Sequence, residues 1–212
     1  MNLGNHGQRA PILISAMITL ISCGNFVMVD RAHSAPNSAQ EFILATTQKV
    51  LQAVSASPTP VVVGSAQAIE ISETHIGPYL DMDKAARLVL GPQWRTATPE
   101  EQVRFVAAFR GIAIKIFAGT IPKFAGAQIE ILPEDKRAES DMKVVKTQAV
   151  PSAGPPVRID FRVHQVAGQW AVIDFSVEGL SVLNTYRADF KPILRREGMA
   201  GLIESLEKRV QR

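Results

Sequence analysis

Asp174 is the most conspicuous chemical group in the chain. It interrupts the apolar run Trp170-Ala171-Val172-Ile173-Asp174-Phe175, and an aspartate is rarely buried unless it is paired. Two roles fit such a residue: a general base in a cone-shaped pocket, as in enzymes of similar α+β architecture, or one half of a structural ion pair, with Arg187 a candidate partner. Strand alternation sets Asp174 on the face opposite Ile173 and Phe175, which favours the structural role. The companions that catalysis would need are missing from the sequence. His75 and His164 have no Asp, Glu or Cys at metal-ligand spacing, and His164 falls on the wet face of its strand, so both read as surface residues. Ser181 lacks a Gly-x-Ser-x-Gly context, and no glycine loop of the phosphate-binding kind occurs. Trp94 and Trp170 read as packing anchors. The residues call for no metal and no cofactor.

The bulk properties agree with a protein that is neither disordered nor built for nucleic acid. Of the 212 residues 46% are hydrophobic, enough to bury a continuous core. The net charge of +3 is spread without a long basic run, so the clustered footprint of a nucleic-acid-binding surface is absent. The N-terminus has the pattern of an export signal: one cation and no acid over Met1 to Arg9, then an apolar run from Ala10 to Leu20 that is too short for a comfortable bilayer span. Two processing routes fit. Ala32 and Ser34 have the spacing read by a signal peptidase, giving a signal peptide over residues 1–34 and a domain over residues 35–212. Alternatively, Leu20-Ile21-Ser22-Cys23 resembles a lipobox that would acylate Cys23. Cys23 is the only cysteine, so residues 35–212 hold neither a disulfide nor a thiolate site. Removing residues 1–34 takes away Arg9, Arg31 and Asp30 and lowers the net charge from +3 to +2, a balance suited to a soluble exported protein.

The elements follow from periodicity and punctuation. Phe42, Ile43, Val50, Leu51 and Val54 fall near helical spacing, and a weaker helix is predicted from Val61 to about Ile76. Asp81 should cap a short helix closed by Gly91-Pro92. Thr98, Pro99 and Glu101 form a capping-box start for a long helix to about Ile121. Beyond Pro122 the period changes to two: Ala127 to Leu132, Met142 to Val150, Val157 to Val166 and Gln169 to Val177 have strand character, the last two joined as a hairpin at Ala167-Gly168. Two helices, Leu180 to Arg196 and Met199 to Gln211, should follow, split at Gly198. The predicted class is α+β, a curved antiparallel four-stranded sheet with helices packed on one face.

Two stretches carry a resemblance. One runs through Tyr79-Leu80-Asp81-Met82, Leu90-Gly91-Pro92-Gln93-Trp94-Arg95, Pro99-Glu100-Glu101-Gln102 and Phe105 to Phe109. The other runs through Gly168-Gln169-Trp170-Ala171-Val172-Ile173-Asp174, Glu178-Gly179-Leu180-Ser181 and Asn184-Thr185-Tyr186-Arg187-Ala188-Asp189-Phe190. Together with Gly198 to Leu206 they resemble the MlaC, or toluene-tolerance, family over most of Phe42 to Leu206. Ile116-Phe117-Ala118 departs from it, since many members place a tyrosine before the alanine. The resemblance implies a periplasmic carrier that passes phospholipid between an outer-membrane lipoprotein complex and an inner-membrane ABC transporter and catalyses no reaction; a monomer is expected. Relatives linked to hopanoid metabolism leave a flatter polycyclic ligand open.

A carrier of this kind needs a deep apolar slot and little else. Burying one acyl chain of about fourteen carbons is worth roughly 10 kcal/mol gross at about 0.8 kcal/mol per methylene. The candidate lining is the dry face of the hairpin (Ile159, Phe161, Val163, Ile173, Phe175, Val177) together with Phe105, Phe109, Ile112, Ile116 and Tyr186. The plain alternative for each of them is ordinary core. Arg187 and Arg195 or Arg196 are candidates to meet headgroup phosphates at a pocket mouth.

Overall fold

The structure is a computed structural model, and it describes residues 38–133 and 141–211. The export signal, Cys23 and the expected cleavage near Ser34 lie outside the described residues.

The helical part begins with α1 (Ala39–Ser55), whose first turn is capped by the Ser38 hydroxyl accepting from the Glu41 N–H at 3.1 Å. α2 (Ala66–His75) is shorter than the predicted helix from Val61. Gly64, at φ 70°, breaks the helical path, and its N–H donates to the Ala118 carbonyl; the Ser65 hydroxyl then caps the helix. α3 (Met82–Leu90) starts at Asp81 as expected, its carboxylate accepting from the Lys84 N–H at 2.8 Å. A five-residue helix, α4 (Pro92–Thr96), follows at the Gly91-Pro92 corner.

α5 (Pro99–Thr120) has the full capping box: the Thr98 hydroxyl accepts from the Glu101 N–H at 3.2 Å, and the Thr98 N–H donates to the Glu101 carboxylate at 2.9 Å. By length and hydropathy Pro99–Phe124 could cross a membrane. Here it is the central core helix, packed against α2, α3 and α6. α6 (Val182–Gln211) contains the expected break at Gly198, where φ is 68° and ψ −168°.

The sheet has five strands rather than four: β1 (Gln128–Ile131), β2 (Met142–Val150), β3 (Val157–Val166), β4 (Gln169–Val177) and β5 (Leu180–Ser181), antiparallel in that order. β5 is two residues long and carries no readable period. It forms because Glu178 and Gly179 both adopt positive φ, 50° and 79°, and fold the chain back so that Leu180 pairs with Val177. The last helix therefore starts at Val182, not Leu180. The β3–β4 hairpin turns on Ala167 and Gly168, both at positive φ (48° and 80°), the geometry of a two-residue turn whose twist matches the strands it joins.

The register of that hairpin decides what faces the helices. Phe161 pairs with Phe175 and Arg162 with Asp174, but Val163 pairs with Val172, so Ile173 has no partner and forms a bulge. A bulge adds one residue to a strand and re-aims its neighbours. Strict alternation would turn Val172 to solvent; with the bulge, Val172 and Ile173 are both buried, on different parts of the core.

Candidate functional site

A cavity lies between α1 and the sheet, and helical spacing explains its first wall. Ile43, Thr46, Thr47, Val50 and Leu51 of α1 line it, at offsets of three, four, seven and eight residues that place them on one helix face. The opposite wall is one face of the sheet: Ile129, Ile159, Phe161, Val172, Phe175 and Val177. The end is closed by Ile76 and Tyr79 and by the last turn of α5 with its extension, Phe117, Thr120, Ile121 and Phe124. Phe117 stacks on Phe175 at 4.7 Å between ring centroids, and Phe175 lies 6.5 Å from Phe161.

None of these seventeen residues is charged, and none presents a polar atom to the cavity. The hydroxyls of Thr47 and Thr120 are spent within their own helices, on the carbonyls of Ile43 and Ile116 at 2.7 Å each, so neither offers a donor to a ligand. The cavity volume is about 90 Å³. Chemically, such a slot can hold hydrocarbon and nothing that needs a hydrogen bond.

The residues expected at the lining divide among three places. Ile159, Phe161, Phe175 and Val177 line the cavity. Phe105, Phe109, Ile112 and Ile173 are buried in the core that joins α3, α5, α6 and β4, with Tyr186 packed against it. There Phe105, Phe109, Tyr186 and Phe190 form a cluster of rings 5.4 to 5.9 Å apart. Val163 is buried with Phe42, Ile43, Val145 and Val172 beneath the N-terminal half of α1, and Ile116 touches both the helical core and the cluster around Phe117. The α1 wall and the Phe117 to Phe124 closure were not anticipated. The signal for the α1 wall lies in the 43, 46, 47, 50, 51 spacing.

Asp174 is 5% exposed and does not line the cavity. Its two oxygens accept from the Ser181 hydroxyl at 2.6 Å and the Leu183 N–H at 3.0 Å, while the Ser181 hydroxyl accepts from the Asn184 N–H at 3.1 Å. Asp174 and Ser181 together thus satisfy two N–H groups at the start of α6, the task of an N-cap carried out from a neighbouring strand. The cation nearest Asp174 is Arg162 at 3.8 Å, the residue paired with it across β3 and β4. Arg187, the expected partner, instead donates to the Leu88 carbonyl near the end of α3. Because Asn can replace only part of this set, Asp174→Asn should lower unfolding stability by about 1–3 kcal/mol, the cost of leaving a buried polar group poorly paired. Urea titration measures this, and bound lipid per folded molecule should stay unchanged.

His164 is not on the surface. It is 6% exposed, with Nε2 at 2.7 Å from the Asp81 carboxylate and Nδ1 at 2.9 Å from the Lys84 ammonium. An ammonium only donates, so Nδ1 accepts and the proton sits on Nε2, donated to Asp81. The wet face of β3 is covered here by the start of α3, which is tied to β4 by the Asp81 N–H donating to the Val172 carbonyl. Trp94 and Trp170 are half-buried anchors, with Arg87 and Lys143 over their rings at 5.7 Å. Among the described residues no group of three His, Cys, Asp or Glu side chains is placed to hold a metal.

Comparison with known proteins places this geometry. The profile of the MlaC protein family matches residues 45–208. The intermembrane phospholipid transport system binding protein MlaC of Haemophilus influenzae is 22% identical over 134 residues, 62% of this chain and 63% of that protein. The toluene tolerance protein ttg2D of Pseudomonas putida is 23% identical over 128 residues, 58% of this chain and 57% of that protein. Both matches span less than two thirds of the relative's length. A phospholipid-binding protein from Ralstonia solanacearum, solved in complex with a phospholipid, superposes with a TM-score of 0.73 at 26% identity, covering 82% of this chain and 97% of that one. With the family profile spanning most of the described fold, the chain belongs to the MlaC protein family.

Proposed function

We propose that this protein is a phospholipid carrier which holds acyl chains in the cavity between α1 and the sheet and catalyses no reaction. The observation that carries the reading is the lining itself, seventeen residues with no charge and no polar atom facing inward. The phospholipid bound by the Ralstonia solanacearum relative supports it. So does the state of Asp174, whose oxygens are occupied by the donors that start α6 and which stands outside the cavity. At about 90 Å³ the cavity is smaller than the roughly 300–1,000 Å³ of ligand pockets, so its walls must open to admit an acyl chain.

On this reading residues 1–34 direct export and are removed, and the soluble domain of residues 35–212 works in the periplasm. It shuttles phospholipid between an outer-membrane lipoprotein complex and an inner-membrane ABC transporter. A chain acylated at Cys23 would be held at its membrane far more firmly than single-chain anchoring allows, which is why the soluble product fits a carrier better. Organic extraction of the purified domain followed by mass spectrometry, with transfer of labelled lipid between vesicle populations, tests the proposal. Glycerophospholipid in the extract and transfer accelerated by the protein are the expected results. A lipid-free protein that accelerates no transfer would refute the reading.

A further inference from the structure

A second concavity lies where α6 crosses the α3–α4 corner. It measures about 560 Å³ and is lined by Val89, Leu90, Gly91, Pro92 and Gln93 on one side and by Arg187, Lys191, Leu194 and Arg195 of α6 on the other. It shares no residue with the apolar cavity and draws on none of the same elements. The cations expected at the mouth of a lipid pocket are therefore found in a separate groove.

The charge in this groove is one-sided. Arg187, Lys191 and Arg195 stand four residues apart, which aligns them along one stripe of α6 and spreads them over about 12 Å at 1.5 Å per residue. No acidic residue lines the groove. Arg187 is held on the Leu88 carbonyl, whereas Lys191 and Arg195 have no acidic side chain within ion-pair distance among the described residues. Like charges four apart on a helix repel, so the stripe carries a small local cost. Between the cations and the corner the floor is apolar, formed by Val89, Leu90, Pro92 and Leu194.

We propose that this groove docks an acidic amphipathic segment of a partner protein, with carboxylates at matching four-residue spacing above the cations and an apolar side chain on the floor. Spacing and shape select this occupant. Three cations spread over about 12 Å outreach a single phosphate and match a row of carboxylates, and Val89 and Leu90, 3% and 4% exposed, are reached by a side chain entering the groove rather than by a flat bilayer. The inference goes beyond the carrier reading and does not depend on it. If that reading is right, the groove lets a partner hold the protein without covering the lipid cavity.

The test is a titration of the isotope-labelled domain of residues 35–212, monitored by amide resonances, with a synthetic helical peptide carrying glutamate at every fourth position and leucine between. The controls are the same peptide with glutamine for glutamate, inorganic phosphate, and phosphatidylglycerol vesicles in a sedimentation assay. Shifts confined to the 89–93 and 187–195 segments are expected, weakening with added salt. The double variant Lys191→Glu/Arg195→Glu should bind roughly tenfold or more weakly, as two lost exposed ion pairs with added repulsion require. Lys191→Gln/Arg195→Gln should show a smaller loss, and both variants should keep the wild-type thermal midpoint and lipid content. Shifts elsewhere, equal binding by the reversed variant, equal binding of the glutamine peptide, or the same shifts from phosphate alone would overturn the proposal. So would binding to vesicles that depends on Lys191 and Arg195 in the absence of peptide binding. A lipid-free protein that still binds the peptide would remove the carrier reading and leave the dock standing.

Discussion

Phe161→Asp should strip the protein of bound lipid while leaving it folded. Phe161 is half-buried on the sheet wall of the cavity, and its neighbours there are Phe175 and the apolar face of α1. A carboxylate at this position meets no cation or donor in the lining, and an unpaired charge taken out of water costs several kcal/mol even after relaxation. That penalty offsets much of the roughly 10 kcal/mol gross gained by burying one acyl chain. Lipid recovered per mole of protein should fall below detection, with the far-ultraviolet circular dichroism of the wild type retained. Because a charge can also unfold a half-buried strand, Val177→Asp, at the partly exposed end of the same wall, provides an independent variant. If both fold and both retain a full lipid load, the acyl chains are elsewhere.

Phe190→Ala should do the reverse. Phe190 is 1% exposed and packs its ring against Phe105, Phe109 and Tyr186 at 5.4 to 5.9 Å. Truncating a fully buried phenylalanine removes its transfer energy and leaves a void, together about 3–5 kcal/mol, which is a large share of a stability of roughly 5–15 kcal/mol. Denaturant titration should show that loss, and the fraction that remains folded should carry lipid as the wild type does. Loss of lipid with little loss of stability would mean that the α5–α6 cluster belongs to the binding site after all.

The contrast between these two variants marks where the sequence could be read and where it could not. Local signals came through: the capping box at Thr98 and Glu101, the Asp81 cap, the Ala167-Gly168 turn and the break at Gly198 each act within a few residues of chain. The period-two runs likewise identified β1 to β4. Assigning faces was harder, because α5, at 22 residues, extends about 33 Å. Its first half meets α6, and only its last turn reaches the cavity, so Phe105 and Phe117 serve different purposes on one helix. The bulge at Ile173 had no local signature, and it moved Val172 into the cavity wall and Ile173 into the helical core. The burial of His164 has no local signal for a related reason: its partners Asp81 and Lys84 lie some 80 residues earlier in the chain and are brought to it only when α3 docks on β4.

The most direct test of the central claim is a crystal structure of the exported domain purified with its native lipid. Acyl-chain density is expected between α1 and the β3–β4 hairpin, in contact with Val50, Phe161 and Phe175, with the headgroup outside the apolar lining. Lipid density in the α3–α6 groove, with the space between α1 and the sheet filled only by side chains, would contradict the account.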